Sequence, residues 1–289
     1  MDEQDKPPNR AEPTAPEPTA TTSRRDFVTG VGAAVLGAGL ASLRAPGTAL
    51  AQAERPALAP AEAGGFRFVY FPDSHLRDEF RSAEGLAAAL QAVERLAPRP
   101  AFILTGGDLC HDLRALDLEP ARRRADRFVE IWRANSTLPT YHMLGNHDAA
   151  GWGAGEVPED HPDYAFGLMQ RVLSLPRRYY SFDHGGWHFV VVDNVHLTTP
   201  GKHIGYVGEE QLAWLSEDLR LSRGRPAIVA MHVPPLTAVE FLTSRAGQDE
   251  EKGQWRLGFD RMSRNPGELL AALGEGNVRA ILCGPAVAG

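Results

Sequence analysis

Asp73-Ser74-His75, Asp108, Asn146-His147-Asp148 and His232 are the residues whose types and placement could do chemistry together. Each group follows a short apolar run: 66–71, 101–105, 140–144 and 227–231. In open α/β sheets, sites form beyond the carboxyl ends of strands. If the four strands are neighbours, their ends deliver carboxylates, a carboxamide and imidazoles to one region, with no thiolate. Such donors suit Mn, Fe or Zn better than copper or an iron–sulfur cluster. Carboxylates can also bridge two divalent ions about 3.5–4 Å apart, the spacing that serves in-line displacement at phosphorus. Gly106, Gly107 and Gly145 beside these residues let the backbone turn sharply and approach an ion closely. Taken singly, each group has a plainer reading. Asp-x-His makes a surface turn, Gly-Gly-Asp is a turn signal, and Asn-His-Asp is an Asx turn. His232 before Pro234-Pro235 is then a satisfied core histidine. The weight lies in the ordered set.

The elements that must position this set alternate in type. Helical spacing runs through 82–97 with Leu86, Leu90, Val93 and Leu96, and through 119–134 with Phe128, Ile131 and Trp132. It returns at 208–221 with Leu212, Leu215 and Leu219, and a last helix starts at Asn265-Pro266 and runs through Leu273. Tyr179–Phe182 and Trp187–Val192 read as two strands around His184-Gly185-Gly186. Val278–Cys283 is a final strand. This order predicts a layered α/β/β/α sandwich with two mixed β-sheets. Three segments, 151–163, 194–207 and 236–257, read as loops rimming the site, where specificity usually resides.

The 289 residues suffice for one large domain plus an appendage. The net charge of −7 argues against a broad nucleic-acid surface. Two cysteines far apart, Cys110 and Cys283, build neither a disulfide framework nor a structural zinc site. A single bridge between them, or two strand-end cysteines acting as buried hydrophobes, are the remaining readings. Residues 1–22 are rich in Pro, Glu, Thr and Ala and read as disordered. Arg24-Arg25-Asp26-Phe27, an uncharged stretch to Leu43, and Ala49-Leu50-Ala51 then form a signal peptide, with Ala51-Gln52-Ala53 as a second cleavage choice. The arginine pair before an aromatic resembles a twin-arginine signal and implies the twin-arginine export machinery as a partner. An uncleaved anchor is the alternative, but about 17 residues with several glycines are short for a span. The expectation is a periplasmic or secreted protein without a stable membrane span after cleavage. Its leader is 1–51, its linker 52–65 and its main domain 66–289.

With these residues in place, the chain resembles the calcineurin-like metallophosphoesterase superfamily. The family pattern runs D-x-H, G-D, G-N-H-D/E, a single H after a strand, and G-H-x-H. Asp73-x-His75, Gly107-Asp108, Gly145-Asn146-His147-Asp148 and His232 stand in the first four places, and 179–193 resembles the mid-domain hairpin. The resemblance implies that Asp73 and His75 hold one metal, that Asp108 bridges two, and that Asn146 and His232 hold the second. His147 would be the general acid or a transition-state hydrogen-bond donor, oriented by Asp148. The cofactors implied are two divalent or trivalent ions (Mn, Fe or Zn), and a hydroxide bridging them is the nucleophile. The substrate would be a small phosphoester or nucleotide-like molecule.

Where the family places G-H-x-H, this sequence reads Gly284-Pro285-Ala286-Val287-Ala288-Gly289. The resemblance therefore implies that each metal is one histidine short, and weak metal binding is expected. A truncated or frameshifted sequence is one reading. A degenerate, non-catalytic secreted binding protein of the same fold is another. Completion of the site by water or by His111, Asp112, His196 or His203 is a third.

Overall fold

A computed structural model describes residues 65–153, 157–238, 248–249, 254–255 and 261–284. The expected leader, nearly all of the linker, most of the 236–257 segment and residues 285–289 lie outside them.

Two sheets carry the candidate site residues. The first holds Val69–Phe71 (β1), Ile103–Thr105 (β2) and Thr140–Tyr141 (β3), in that order and all parallel. The second joins Tyr180–His184 (β4), Trp187–Val192 (β5), Ala227–Met231 (β8) and Val278–Cys283 (β11) in the order β11-β8-β5-β4. There β4 runs antiparallel to β5, and the other pairs are parallel. Only this sheet is mixed. The first, expected to be mixed, is parallel among the described residues.

Side-chain alternation along the strands sorts the core into layers. Phe102 and Leu104 face Phe189, Val191 and Ala230 between the sheets. Ile103, one position out of phase, packs outward against helices α1 (Ser82–Glu94) and α2 (Leu118–Asn135), where Leu86, Leu90, Phe128 and Trp132 are buried. Val190, Val192, Val229 and Met231 turn the other way, onto α4 (Glu209–Leu221) and α5 (Pro266–Gly274). The result is the expected α/β/β/α layering.

Several boundaries differ from expectation. Helix α1 stops at Glu94, ahead of Ala97-Pro98, because a residue before proline disfavours helical geometry; Leu96 is consequently exposed. A short helix, α3 (Gly167–Val172), follows the 151–163 segment. The expected loop at 194–207 is largely an antiparallel hairpin of Val195–Leu197 (β6) and His203–Gly205 (β7). Within 236–257, Gln248–Asp249 (β9) pairs with Gln254–Trp255 (β10). Cys110 is buried and Cys283 half-buried, and both are free, so the bridge between them is not formed. Among the described residues no helix is long and apolar enough to cross a membrane.

Candidate metal centre

The loop after β1 is bound to the loop after β2 by backbone hydrogen bonds. Asp73 N–H donates to Gly107 O at 3.1 Å, His75 N–H to Asp108 O at 2.9 Å, and Leu76 N–H to Leu109 O at 3.0 Å. The pairing holds three non-glycine residues in left-handed conformation: Asp73 (φ 53°), His75 (φ 42°) and Asp108 (φ 50°). Such residues cost about 1–3 kcal/mol each and persist where their surroundings over-determine them. Gly107 has φ 85°, and a Cβ there would lie 2.6 Å from His232 Nδ1. A Cβ on Gly145 would strike the Asp108 carboxylate. Both glycines are needed for close approach.

The side chains expected to share a site do so. His75 Nε2 lies 3.7 Å from Asp73 Oδ1 and 3.6 Å from Asp108 Oδ2. His232 Nε2 reaches Asp108 Oδ2 at 3.3 Å and Asn146 Oδ1 at 3.1 Å. Its Nδ1 meets Gly106 O at 2.8 Å. Asp108 is thus central: one oxygen accepts the His147 N–H at 2.8 Å, and the other faces three imidazoles. His232 arrives from the second sheet at the end of β8, whereas the other ligand candidates follow strands of the first.

These residues fit a divalent cation. Asp73 Oδ2 is buried without a hydrogen-bond partner, and an uncompensated buried carboxylate oxygen is costly. Donor atoms of Asp73, His75 and Asp108 all lie within 4.8 Å of one another. Burial raises the Asp73 carboxyl above its ordinary range. Burial works against a charge on His232 as well, but the Asp108 carboxylate outweighs it and pushes the imidazole up to about 9. The carboxylates thus draw in positive charge, and a proton on His232 competes with a metal for the same lone pair.

The far edge of His75 meets a second imidazole. Arg77 Nη2 donates to His111 Nδ1 at 3.0 Å, and that nitrogen lies 3.3 Å from His75 Nδ1. Burial, then the Arg77 charge, lowers His111 to about 4, so it is a neutral acceptor. The Asp73 carboxylate outweighs burial and raises the His75 pKa above its ordinary value.

His147 and Asp148 are placed differently from one another. The Asp148 carboxylate is buried and accepts three backbone N–H groups: Gly145 at 2.9 Å, Cys110 at 3.0 Å and Leu109 at 3.2 Å. It knits the loop after β2 to the loop after β3. The carboxylate facing the His147 ring is instead Asp112, whose Oδ1 lies 3.5 Å from Nδ1, with Arg114 Nη2 at 3.4 Å. Arg114 in turn bonds Asp112 at 2.7 Å. The Nε2 of His147 faces Asp108 at 4.0 Å. Of the residues considered for completing the site, His111 and Asp112 are thus at its edge, while His196 and His203 lie on the β6–β7 hairpin. Arg77 and Arg114 went unread in the sequence. Their one signal is an i, i+2 spacing from His75 and from Asp112.

A family model for the calcineurin-like phosphoesterase matches residues 66–284. The chain belongs to that family. It is similar to a 3',5'-cyclic-nucleotide phosphodiesterase of Nostoc sp., at 25% identity over 54% of this chain and 49% of the relative. It is similar to a serine/threonine-protein phosphatase of Homo sapiens, at 29% identity over 50% of this chain and 44% of the relative. A probable cyclic nucleotide phosphodiesterase of Rhodopseudomonas palustris shares 30% identity over 58% and 57%. The chain spans about half the length of these relatives.

Proposed function

We propose that this chain is an exported, metal-dependent phosphoesterase acting on small phosphodiesters or phosphomonoesters of nucleotide-like molecules. The observation carrying the proposal is the convergence of His75 and His232 on the Asp108 carboxylate, with Asp73 beside His75, Asn146 beside His232, and the second Asp73 oxygen buried without a hydrogen-bond partner. The names of the relatives, two of them cyclic-nucleotide phosphodiesterases, support a phosphodiester substrate. Export rests on the leader at 1–51, with its arginine pair and Ala-x-Ala ending.

Asp73 and His75 would hold one ion, Asn146 and His232 a second, with Asp108 between them. Paired divalent ions, when bound, supply a nucleophilic hydroxide near neutral pH and neutralise charge on the phosphoryl oxygens. The remaining work falls to this chain's own groups. Asp112 and Arg114 hold the Nδ1 edge of His147, which points Nε2 at the centre. That nitrogen is placed to hand a proton to the leaving oxygen. Asp148 keeps the two loops in register.

The test is hydrolysis of bis-p-nitrophenyl phosphate in Mn²⁺, before and after chelation, by the wild type and by His147→Ala. Chelation should abolish the activity. His147→Ala should lower kcat by about 10²–10⁴ with bound Mn²⁺ unchanged. Equal rates in the two proteins would remove His147 from the mechanism, and activity indifferent to chelation would remove the metals.

A further inference from the structure

We propose that Phe80, held beside the centre by Arg77, is a stacking platform for the base of a nucleotide. The inference rests on the phosphoester reading above and names the side chain that would receive the base. Phe80 is 84% exposed, more than any other large hydrophobic residue among those described. It and Arg81 also sit in consecutive left-handed conformations, at φ 56° and 54°. The ring is thus outside the core and open to a ligand, and its backbone is of the strained kind that clusters at ligand-binding segments.

Its position is connected to the centre through polar contacts. The Arg77 guanidinium lies 5.8 Å from the Phe80 ring centroid and covers one face. The same guanidinium donates to His111, which meets His75. A phosphate at His75 would therefore have, a few side chains away, a cation and an aromatic ring exposed to solvent. A nucleotide matches this spread: its anion belongs at the metals and its flat base on the ring, with the cation–π pair holding the ring in place. A lipid chain fits less well, because the platform is flanked by a charge rather than an apolar groove.

Calorimetry on the full chain in Mn²⁺, titrating AMP and ribose 5-phosphate, tests the proposal. The two ligands share the phosphate and the sugar and differ in the base. The wild type should bind AMP about tenfold tighter, in keeping with one base stacked on one aromatic side chain. Phe80→Leu should erase that preference, Phe80→Tyr should retain it, and ribose 5-phosphate should bind all three proteins alike. Because the ring is exposed, neither variant endangers the fold. Equal affinity of the wild type for both ligands, or a preference that survives Phe80→Leu, would overturn the platform and leave the phosphoester reading standing. Failure to bind either ligand would overturn both.

Discussion

Two histidine–carboxylate clusters in this molecule use the same chemistry to opposite ends. At the start of β5, His188 sits directly across the strand pair from Asp183. Its Nδ1 meets Asp183 at 2.7 Å and its Nε2 meets Asp218 of α4 at 2.8 Å. Asp218 takes a further hydrogen bond from Ser181 at 2.9 Å, and Asp183 is also bonded by Arg225. Both ring nitrogens have a carboxylate, and each carboxylate has a second partner. At the centre formed by Asp73, His75, Asp108, Asn146 and His232, Asp73 Oδ2 has none, and left-handed backbone carries three of the residues. A cluster of histidine and aspartate is therefore no sign of a site in itself. A buried carboxylate oxygen without a hydrogen-bond partner, on a strained backbone, separates the candidate site from a clamp whose partners are all protein groups.

The sharpest way to break this comparison is to remove charge from the middle of the centre. Asp108→Asn should reduce bound Mn²⁺ to a small fraction of the wild-type content and lower phosphodiester hydrolysis by about a thousandfold. Metal retained at the wild-type level, measured by elemental analysis after dialysis, would contradict the metal-holding role proposed for Asp108. A smaller effect is expected one contact outward. Asp112→Asn should lower kcat about ten- to a hundredfold while leaving metal content and stability near wild type, since Asp112 acts through His147. An unchanged pH–rate profile in that variant would argue against a role through His147.

The smallest effect on activity belongs to the complete cluster. His188→Gln should leave kcat unchanged and cost about 2 kcal/mol of stability in acid and neutral solution. Burial lowers the His188 pKa, and its hydrogen bonds to Asp218 and Asp183 overcome that, leaving it above the ordinary 6.5. A raised folded pKa stabilises fully below about 6.5 and loses that stabilisation as pH rises through the folded value. Wild type and His188→Gln should therefore converge in Tm toward alkaline pH. A difference that grows with pH would reverse the sign and refute the ion-paired state.

Much of the centre was legible because its signals are local. Asp73, His75, Asp108 and Asn146 each follow an apolar run, and a strand end followed by a polar residue can be read within one window of sequence. The layers were legible for the same reason, since Phe102, Ile103 and Leu104 alternate between two cores as period two requires. Asp148 was misassigned because adjacency to His147 in sequence says nothing about direction. In the 3₁₀ turn Asn146–Asp148 the carboxylate turns back onto the N–H groups of Leu109 and Cys110, leaving the ring of His147 to Asp112.

The sequence by itself thus determined the kinds of ligand, their order and the alternation of strand and helix, because side-chain chemistry and short-range periodicity are properties of contiguous residues. Tertiary structure alone decided that His232 crosses from the second sheet to Asp108, that Asp112 rather than Asp148 faces His147, and that Arg77 joins His111 to an exposed phenyl ring. The contacts of His232 with Asp108, of Asp112 with His147 and of Arg77 with His111 join segments about 30 or more residues apart, which no local pattern encodes.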